Sequence, residues 1–568
     1  MSAGDSRWVL GLWDGHDAGA ALLYDGVVVA AVSEERLTRV KGQGGFPSRS
    51  LQAVLQLGGV RADQVDVVAV AGRIGRLPAR ILDRRYAAMA PESVDQLSPV
   101  SQWHAAYQNR LAQLPVAREL ERLGSRLVLG RRLAEHGFST ARLALVDHHH
   151  AHAATAFAAA DGESSLILTM DGYGDGISTA IWTAGPSGLH ALATDGPRSS
   201  VALLYGVVTQ LLGFREGEEG KVTGLAALGR VGAPGAVDRR ADLRPFLTVE
   251  NGRIRVRMAD AIRCVRDALK GGVTPEQIAW GIQAPMEDAV VELATCYLRE
   301  TGRRRLAVAG GLFANVSLNG RLAGLDLDYF TVFPAMGDQG LCVGAALIAS
   351  DLRAARPLPS LRVGCDIGGG VEPDPEEVAG RLAAGAIMGV ARGRMEFGPR
   401  ALGGRSILFD PRRPQLAQRL GAALCREPFM PFAPVLLARH WNDVFASGRT
   451  PIRRATREMT LALPVRRCFA DLAPVAVAAD GTARPQVIDD EDDPWLAAVL
   501  AAFHERTGCP ALINTSFNRH REPIVCSAAE AEETAKRVGL DACVVGERLL
   551  PAVAAGDFRA ASQRRARA

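Results

Sequence analysis

The sequence predicts an α/β protein built as two domains. Apolar runs of strand length twice end in a polar, Gly-containing turn and resume as a second apolar run, at residues 8–32 and 166–182. A third apolar run, Arg305–Ala309, stops at Gly310-Gly311 and passes into a helical pattern. The helical pattern then fails near Ala355–Arg362, where Pro357 and Pro359 stand, so a second unit is expected from 362 to about 556. A chain of 568 residues is long enough to hold two cores.

Residues 8–32 read as three strands, with a hairpin turn at Asp25-Gly26. The first turn, Asp14-Gly15-His16-Asp17, can present backbone N–H groups to a phosphate. The charged stretch from Ser33 to Lys41 reads as a solvated loop. Val65–Ala71 is a strand, and residues 75–140 are mostly helical in pattern, most clearly over Arg118–His136 despite Gly124 and Gly130. Leu143–Val146 is a strand that leads into Asp147-His148-His149-His150-Ala151-His152.

Four of the eleven histidines lie in that short stretch. The following Ala153-Ala154-Thr155-Ala156 has no Gly or Pro, so a helix is expected. On it His148 and His152 are i and i+4 and share a face, an arrangement that chelates a cation. The alternative is a polar helix start with solvated imidazoles. The strand from Leu166 ends at Asp171-Gly172-Tyr173-Gly174. Gly220-Lys221 suits either an anion site or a plain helix start, and Pro275–Gly302 reads as a long amphipathic helix. Gly310-Gly311 and the helix after it let a nucleotide approach the backbone. Asp338 stands just before a helix at Leu341–Ser350. It is either that helix's N-cap or an oxygen ligand joining the two histidines. Two His and one carboxylate with open positions is the ligand set of non-haem Fe(II) or catalytic Zn.

In the second unit, Arg394, Arg400, Arg405 and Arg484 lie in Gly/Pro-rich turns. Fixed guanidiniums bind phosphate or carboxylate, and surface salt bridging is the competing role. Arg400, inside Gly398-Pro399-Arg400-Ala401-Leu402-Gly403, is the least incidental of the four.

Net charge is +4, too small to argue for nucleic acid. No signal-peptide pattern and no apolar run of membrane-spanning length is present. Nine cysteines without a C-x-x-C pair point to reduced thiols and a cytoplasmic protein.

Taken together these residues resemble the carbamoyltransferase family of the NodU/CmcH type, which includes antibiotic O-carbamoyltransferases. The resemblance runs through His16-Asp17, Glu34-Glu35-Arg36-Leu37-Thr38-Arg39, the His148–His152 cluster, Asp171-Gly172-Tyr173-Gly174 and Glu219-Gly220-Lys221-Val222-Thr223-Gly224. It continues through Gly310-Gly311, Asn315, Asn319, Gly337-Asp338, Gly398–Gly403 and Asn514-Thr515-Ser516-Phe517-Asn518. It implies an actin-like, sugar-kinase-like two-lobed domain over 1–355 and a YrdC-like α/β twisted-sheet domain over 362–556, followed by a basic tail at 557–568. It also implies a reaction. The small domain makes carbamate from carbamoyl phosphate and activates it with ATP as carbamoyl adenylate. The large domain holds the adenylate on a metal, Fe(II) before Zn, and passes the carbamoyl group to a hydroxyl of a small natural product. Mg is a further candidate ion, with ATP. No nucleic acid or membrane partner is implied, and the oligomeric state stays open, a homodimer included.

By the same resemblance His148, His152 and Asp338 ligate the metal, with Asp171 a fourth ligand. His16 is the general base and Arg400 serves adenylate formation. Lys41 and Lys221 bind anionic oxygens. The remaining cofactor contacts fall to Gly172, Gly174, Gly224, Gly310, Gly311, Asn315, Asn319, Arg394, Arg405, Arg484, Asn514, Ser516 and Asn518. The chain departs from the family pattern at Leu424 and Met430, where relatives carry Lys and Arg, and at Arg521, where they carry Gly. Either Arg521, Arg426 or Arg519 restores the lost charge, or donor use is impaired. Two other functions fit the fold: an actin-like ATP-binding partner protein with a degenerate small domain, and a threonylcarbamoyl-type tRNA modifier. The small net charge weighs against the second.

Overall fold

A computed structural model describes residues 7–551 except 75, 82–105, 108–109, 111–113, 139, 233–236, 351–360, 369 and 447–451. Pro357, Pro359, the tail 557–568 and much of the 75–140 segment lie outside the described residues.

The N-terminal domain holds two five-stranded sheets. The first contains β1 (Trp8–Trp13), β2 (Gly19–Tyr24), β3 (Val27–Ser33), β4 (Val67–Ala71) and β5 (Arg142–Val146), in the order β3-β2-β1-β4-β5. The second contains β6 (Ser165–Gly174), β7 (Ile177–Gly185) and β8 (Gly188–Asp195). After the hairpin β9 (Leu247–Glu250) and β10 (Arg253–Val256), which stands apart, it is completed by β11 (Arg305–Ala309) and β12 (Tyr329–Val332). Its order, β12-β11-β6-β7-β8, is that of the first sheet read from the other edge. In each sheet the first three strands form an antiparallel meander, and the last two join the first strand in parallel. One topology used twice in one domain is the two-lobed actin-like fold. Strands β1, β4 and β11 are covered on both faces, which is why they read as unbroken apolar runs rather than alternating ones.

Between the sheets lie two helices. His148–Ala159 packs on β6 and β11, Leu341–Ala349 packs on β1 and β4, and the two pack on each other. The approach is at backbone contact: a Cβ at Gly344 would stand 2.1 Å from the Ala151 carbonyl oxygen. The alanine run after the histidines therefore serves a close helix–helix crossing as well as helix propensity.

The C-terminal domain is built on a seven-stranded mixed sheet. Its strands run, edge to edge, Gln486–Ile488, Ala433–Leu437, Ala511–Ser516, Arg405–Phe409, Met388–Ala391, Ala542–Val545 and Arg548–Pro551. Helix Pro494–Thr507, covering it, buries Trp495, Leu496, Val499, Leu500 and Phe503.

The stretch expected as a solvated loop, Ser33–Lys41, is instead a junction buried over Ser33–Arg36, and only Val40 and Lys41 at its end are exposed. Glu34, Glu35 and Arg36 are 5%, 5% and 3% exposed. The Glu34 carboxylate accepts the backbone N–H groups of Arg49 and Ser50 at the start of the next helix, and Glu35 accepts that of Gly42. Arg36 donates to the Gly398 carbonyl, and Arg39 to those of Pro523 and Ile524, so this segment docks the second domain. A dense charge run looks solvated in one dimension because its partners are backbone groups of a later helix and of the other domain, which no local spacing marks.

Candidate active site

Three elements deliver the four residues of the metal-type cluster. His148 and His152 come from the first turns of their helix, Asp171 from the end of β6, and Asp338 from the turn ahead of the Leu341 helix. One ligand atom from each lies within 4.8 Å of the other three. His152 Nε2 is 3.1 Å from Asp171 Oδ2 and 3.6 Å from Asp338 Oδ1, and His148 Nε2 is 3.6 and 3.5 Å from the same two atoms. Asp338 makes no side-chain cap for the following helix, so its role as a plain N-cap is not what the structure shows.

The electrostatics suit a cation. Burial alone would lower the His152 pKa, but Asp171 and Asp338 together raise it to about 9. Burial likewise opposes the charge on Asp171, and the two imidazoles hold its carboxyl well below the usual range. The Nε2 atom of His148 is buried and has no hydrogen-bond partner. An orphaned imidazole nitrogen aimed at two carboxylates is the donor set a divalent metal fits.

The surroundings fix this geometry. Asp175 accepts the backbone N–H of His148 at 2.7 Å, with those of Arg73 and Ile74, and so pins the start of the histidine helix. A Cβ on Gly174 would stand 2.2 to 2.4 Å from three ring atoms of His148. Gly174→Ala is therefore expected to turn the imidazole away and weaken metal binding by about tenfold or more, with the fold retained. Metal content by plasma emission, read beside circular dichroism, checks it. Gly172 donates its N–H to Asp171 Oδ1 at 2.6 Å, and Gly310 donates to the Met336 carbonyl, its φ of +109° bringing it against the Met170 backbone. Gly311 packs against the Asp171 carboxylate.

His16 lies at the cluster's edge, 3.1 Å from Asp338 Oδ2, with its ring about half exposed. Trp13 Nε1–H holds its carbonyl at 2.7 Å. Burial works against its charge, yet Asp338 and Asp17 raise its pKa well above the usual value. A cation that took up the Asp338 charge would remove the largest of these upward pulls.

The second assembly is in the C-terminal domain. Strands 405–409, 433–437 and 486–488 run parallel to one another, with 511–516 antiparallel between the first two. The loops ahead of the three parallel strands carry Arg400, Arg426 and Arg484 to the sheet end where Ser516 leaves. Burial lowers the Arg400 pKa to about 10. Burial, then the Arg400 charge, does the same to Arg426, and burial, then both charges, pushes Arg484 well below its ordinary value. Among the described residues no carboxylate pairs with any of the three, and Arg400 Nε is buried without a partner. Beside them Asn514 donates to the Ala401 carbonyl and to Gln486, leaving its own buried Oδ1 unused. Asn518 has a similarly orphaned Oδ1. Three close cations with no counter-ion define an anion site, and an orphan amide oxygen is an acceptor for an N–H group.

Several sequence candidates do other work. Arg405 is fully buried and donates to the carbonyls of Cys365, Arg392, Gly393, Gly404 and Cys526, so it ties turns together and faces no ligand. Arg394 likewise donates to Val29, Val363 and Gly364 carbonyls. The Asn315 side chain caps a helix and pairs with Gln283, and Asn319 bridges to the Phe313 and Thr460 carbonyls. Lys41 pairs with Glu35, and Lys221 with Glu218 and Glu427. Gly224 makes room for Met430 and Phe429: a Cβ there would stand 2.8 Å from Met430 Sδ. Met430 thus packs at the domain junction, and Leu424 is buried in the core at 5% exposure. Arg521 pairs with Glu218 rather than entering the arginine site. Of the candidates for restoring charge, Arg426 is the one at the site. Trp13 and Asp175 were not singled out from sequence, because nothing in their spacing signals a contact made across two elements.

The chain matches the carbamoyltransferase N-terminus family model over residues 9–347 and the carbamoyltransferase C-terminus model over 379–551. It therefore belongs to the carbamoyltransferase family and is an enzyme that moves a carbamoyl group from a donor to a small-molecule acceptor. It is 34% identical to nodulation protein NolNO of Sinorhizobium fredii, covering 94% of this chain and 79% of that protein. It is 33% identical to nodulation protein NolO of Bradyrhizobium diazoefficiens over 71% of this chain and 78% of that one. Among solved structures, component A of (R)-2-hydroxyglutaryl-CoA dehydratase from Acidaminococcus fermentans aligns at 16% identity over 61% of this chain and 100% of that one, with a TM-score of 0.35. Full-length HypF in a phosphate- and nucleotide-bound form aligns at 13% identity over 61% and 55%, TM-score 0.36. No helix among the described residues is long and apolar enough to cross a membrane.

Proposed function

We propose that the enzyme is an ATP-dependent O-carbamoyltransferase that works through carbamoyl adenylate. In this reading water hydrolyses carbamoyl phosphate to carbamate and inorganic phosphate in the C-terminal domain, and a carbamate oxygen attacks the α-phosphorus of ATP and displaces pyrophosphate. The adenylate's carbonyl is then attacked by an acceptor hydroxyl, AMP leaves, and the hydroxyl proton passes to His16. The observation that carries the reading is the uncompensated trio Arg400, Arg426 and Arg484 beside the unused Asn514 Oδ1. The guanidiniums suit a phosphate, and the amide oxygen suits a carbamoyl NH2. Arg400 and Arg426, at about 10, keep their protons at neutral pH.

His148, His152, Asp171 and Asp338 would hold the divalent metal, Fe(II) before Zn for a two-His carboxylate set. Bound there, the metal supplies positive charge that offsets phosphoryl oxygens and polarises the mixed anhydride. Burial of the cluster excludes water that would otherwise hydrolyse the adenylate, and His16, half exposed at the edge, is where an acceptor can arrive.

Incubation with ATP and carbamoyl phosphate, followed by mass spectrometry, is expected to show carbamoyl adenylate and pyrophosphate. Their absence from active protein removes the adenylate route. His16→Ala is expected to leave adenylate formation unchanged while transfer to the acceptor falls by about 10²–10⁴-fold. Normal transfer in that variant would make His16 a structural residue.

A further inference from the structure

The helix Pro115–Glu135 carries a feature that carbamoyl transfer does not use. Val116 is 75% exposed, Leu120 65%, Leu123 59% and Leu127 65%. At about 100° per residue these four fall in an arc of about 60°. The opposite face holds Glu121, Ser125, Leu129 and Leu133, all buried, and Leu129 and Leu133 join the core around the first sheet. The helix is therefore fastened by one side and shows an aliphatic seam on the other. Scattered exposed leucines need no explanation, but four in one register do. The spacing, four residues, three, then four, is that of the a and d positions of a coiled coil.

We propose that the seam is a homodimer interface, covered by the same helix of a second copy running antiparallel across a two-fold axis. The charges beside the seam select this arrangement. With Leu120 opposite the partner subunit's Leu123, Val116 meets the partner subunit's Leu127, and Glu119 lies beside the partner subunit's Arg126. The two-fold axis repeats each contact, giving two Glu–Arg pairs. A parallel pairing would set Arg126 against the partner's Arg131 and leave Glu119 facing Gly124, so like charges meet. Glu119 and Arg126 are exposed, and Glu119 touches Arg122 of its own helix at only 3.5 Å, so both are free to turn to a partner. The seam from Val116 to Leu127 is about 17 Å long, and one such helix pair is smaller than the roughly 800 Å² per partner of a standard interface. The dimer is accordingly reversible.

Sedimentation velocity of the full chain from about 1 to about 100 μM tests this. Most of the protein is expected to be dimeric at the upper end. Leu120→Glu with Leu123→Glu should weaken association by about 100-fold or more and leave metal content and thermal melting unchanged. Glu119→Arg alone and Arg126→Glu alone should each weaken it, and the two together should restore it. Protein that stays monomeric throughout overturns the proposal. So does a dimer that survives the leucine changes. Failure of the double charge exchange to restore association overturns the antiparallel register.

Discussion

Arg400→Ala protein is expected to retain its metal and fail to make carbamoyl adenylate. The argument is one of charge. Arg400 has no carboxylate partner among the described residues, its Nε is buried without an acceptor, and Arg426 and Arg484 crowd it with like charge. A charge-assisted hydrogen bond to a phosphate is worth about 1.5–3 kcal/mol. Losing one should weaken donor binding by about 10- to 100-fold, since about 1.4 kcal/mol is tenfold. The same substitution also relieves repulsion, so the variant is expected to melt no lower than the parent, and Arg484→Ala should melt higher. Inorganic phosphate gives the cleanest readout. It should raise the melting temperature of the parent and have little effect on either variant. A parent protein indifferent to phosphate would end the assignment of this site.

The second large effect is expected at the metal cluster. His148→Ala and Asp338→Ala should each reduce bound transition metal from about one per chain to near none, because each removes a ligand from a four-residue set. Uptake should also depend on pH in a stated direction. His152, at about 9 in the metal-free protein, carries a proton at pH 7 that a metal must displace. Affinity should therefore rise as pH increases toward 9, with proton release visible as a buffer-dependent enthalpy in titration calorimetry. Full metal content in both variants, or an affinity indifferent to pH, would contradict the centre as described.

Much of this was readable in one dimension, and the limits are physical. The strand–turn–strand units and the long helices announce themselves because apolar periodicity is local. His148 and His152 were visible as a pair because a single helix sets their spacing. Asp171 and Asp338 were picked out as acids at strand and helix ends, but only the fold shows them within one 4.8 Å cluster. Arginines proved hardest to sort. Arg394, Arg400, Arg405 and Arg484 all sit in similar glycine-rich turns, yet two of them bond backbone carbonyls and two have no carboxylate partner among the described residues. That difference depends on which strands lie beside each turn, and no spacing encodes it. Against the family pattern, Leu424 and Met430 read as lost cationic ligands. In three dimensions one is core and the other fills the gap opposite Gly224.

The junction between the domains has a consequence for how such enzymes diversify. Arg36, Arg39 and Arg394 all dock by reading main-chain oxygens, at Gly398, Pro523, Ile524, Val29 and Val363. A carbonyl oxygen is offered by every amino acid, so side chains on the receiving loops are free to change without loosening the seat. Gly224 with Met430 is a different kind of contact, a knob in a socket that must change as a pair. Recombined proteins that join the first domain of one relative to the second of another should therefore assemble when that pair travels together with the ion pairs Lys221–Glu427 and Glu218–Arg521. Either domain is in this way free to drift in sequence while the other stays as it is.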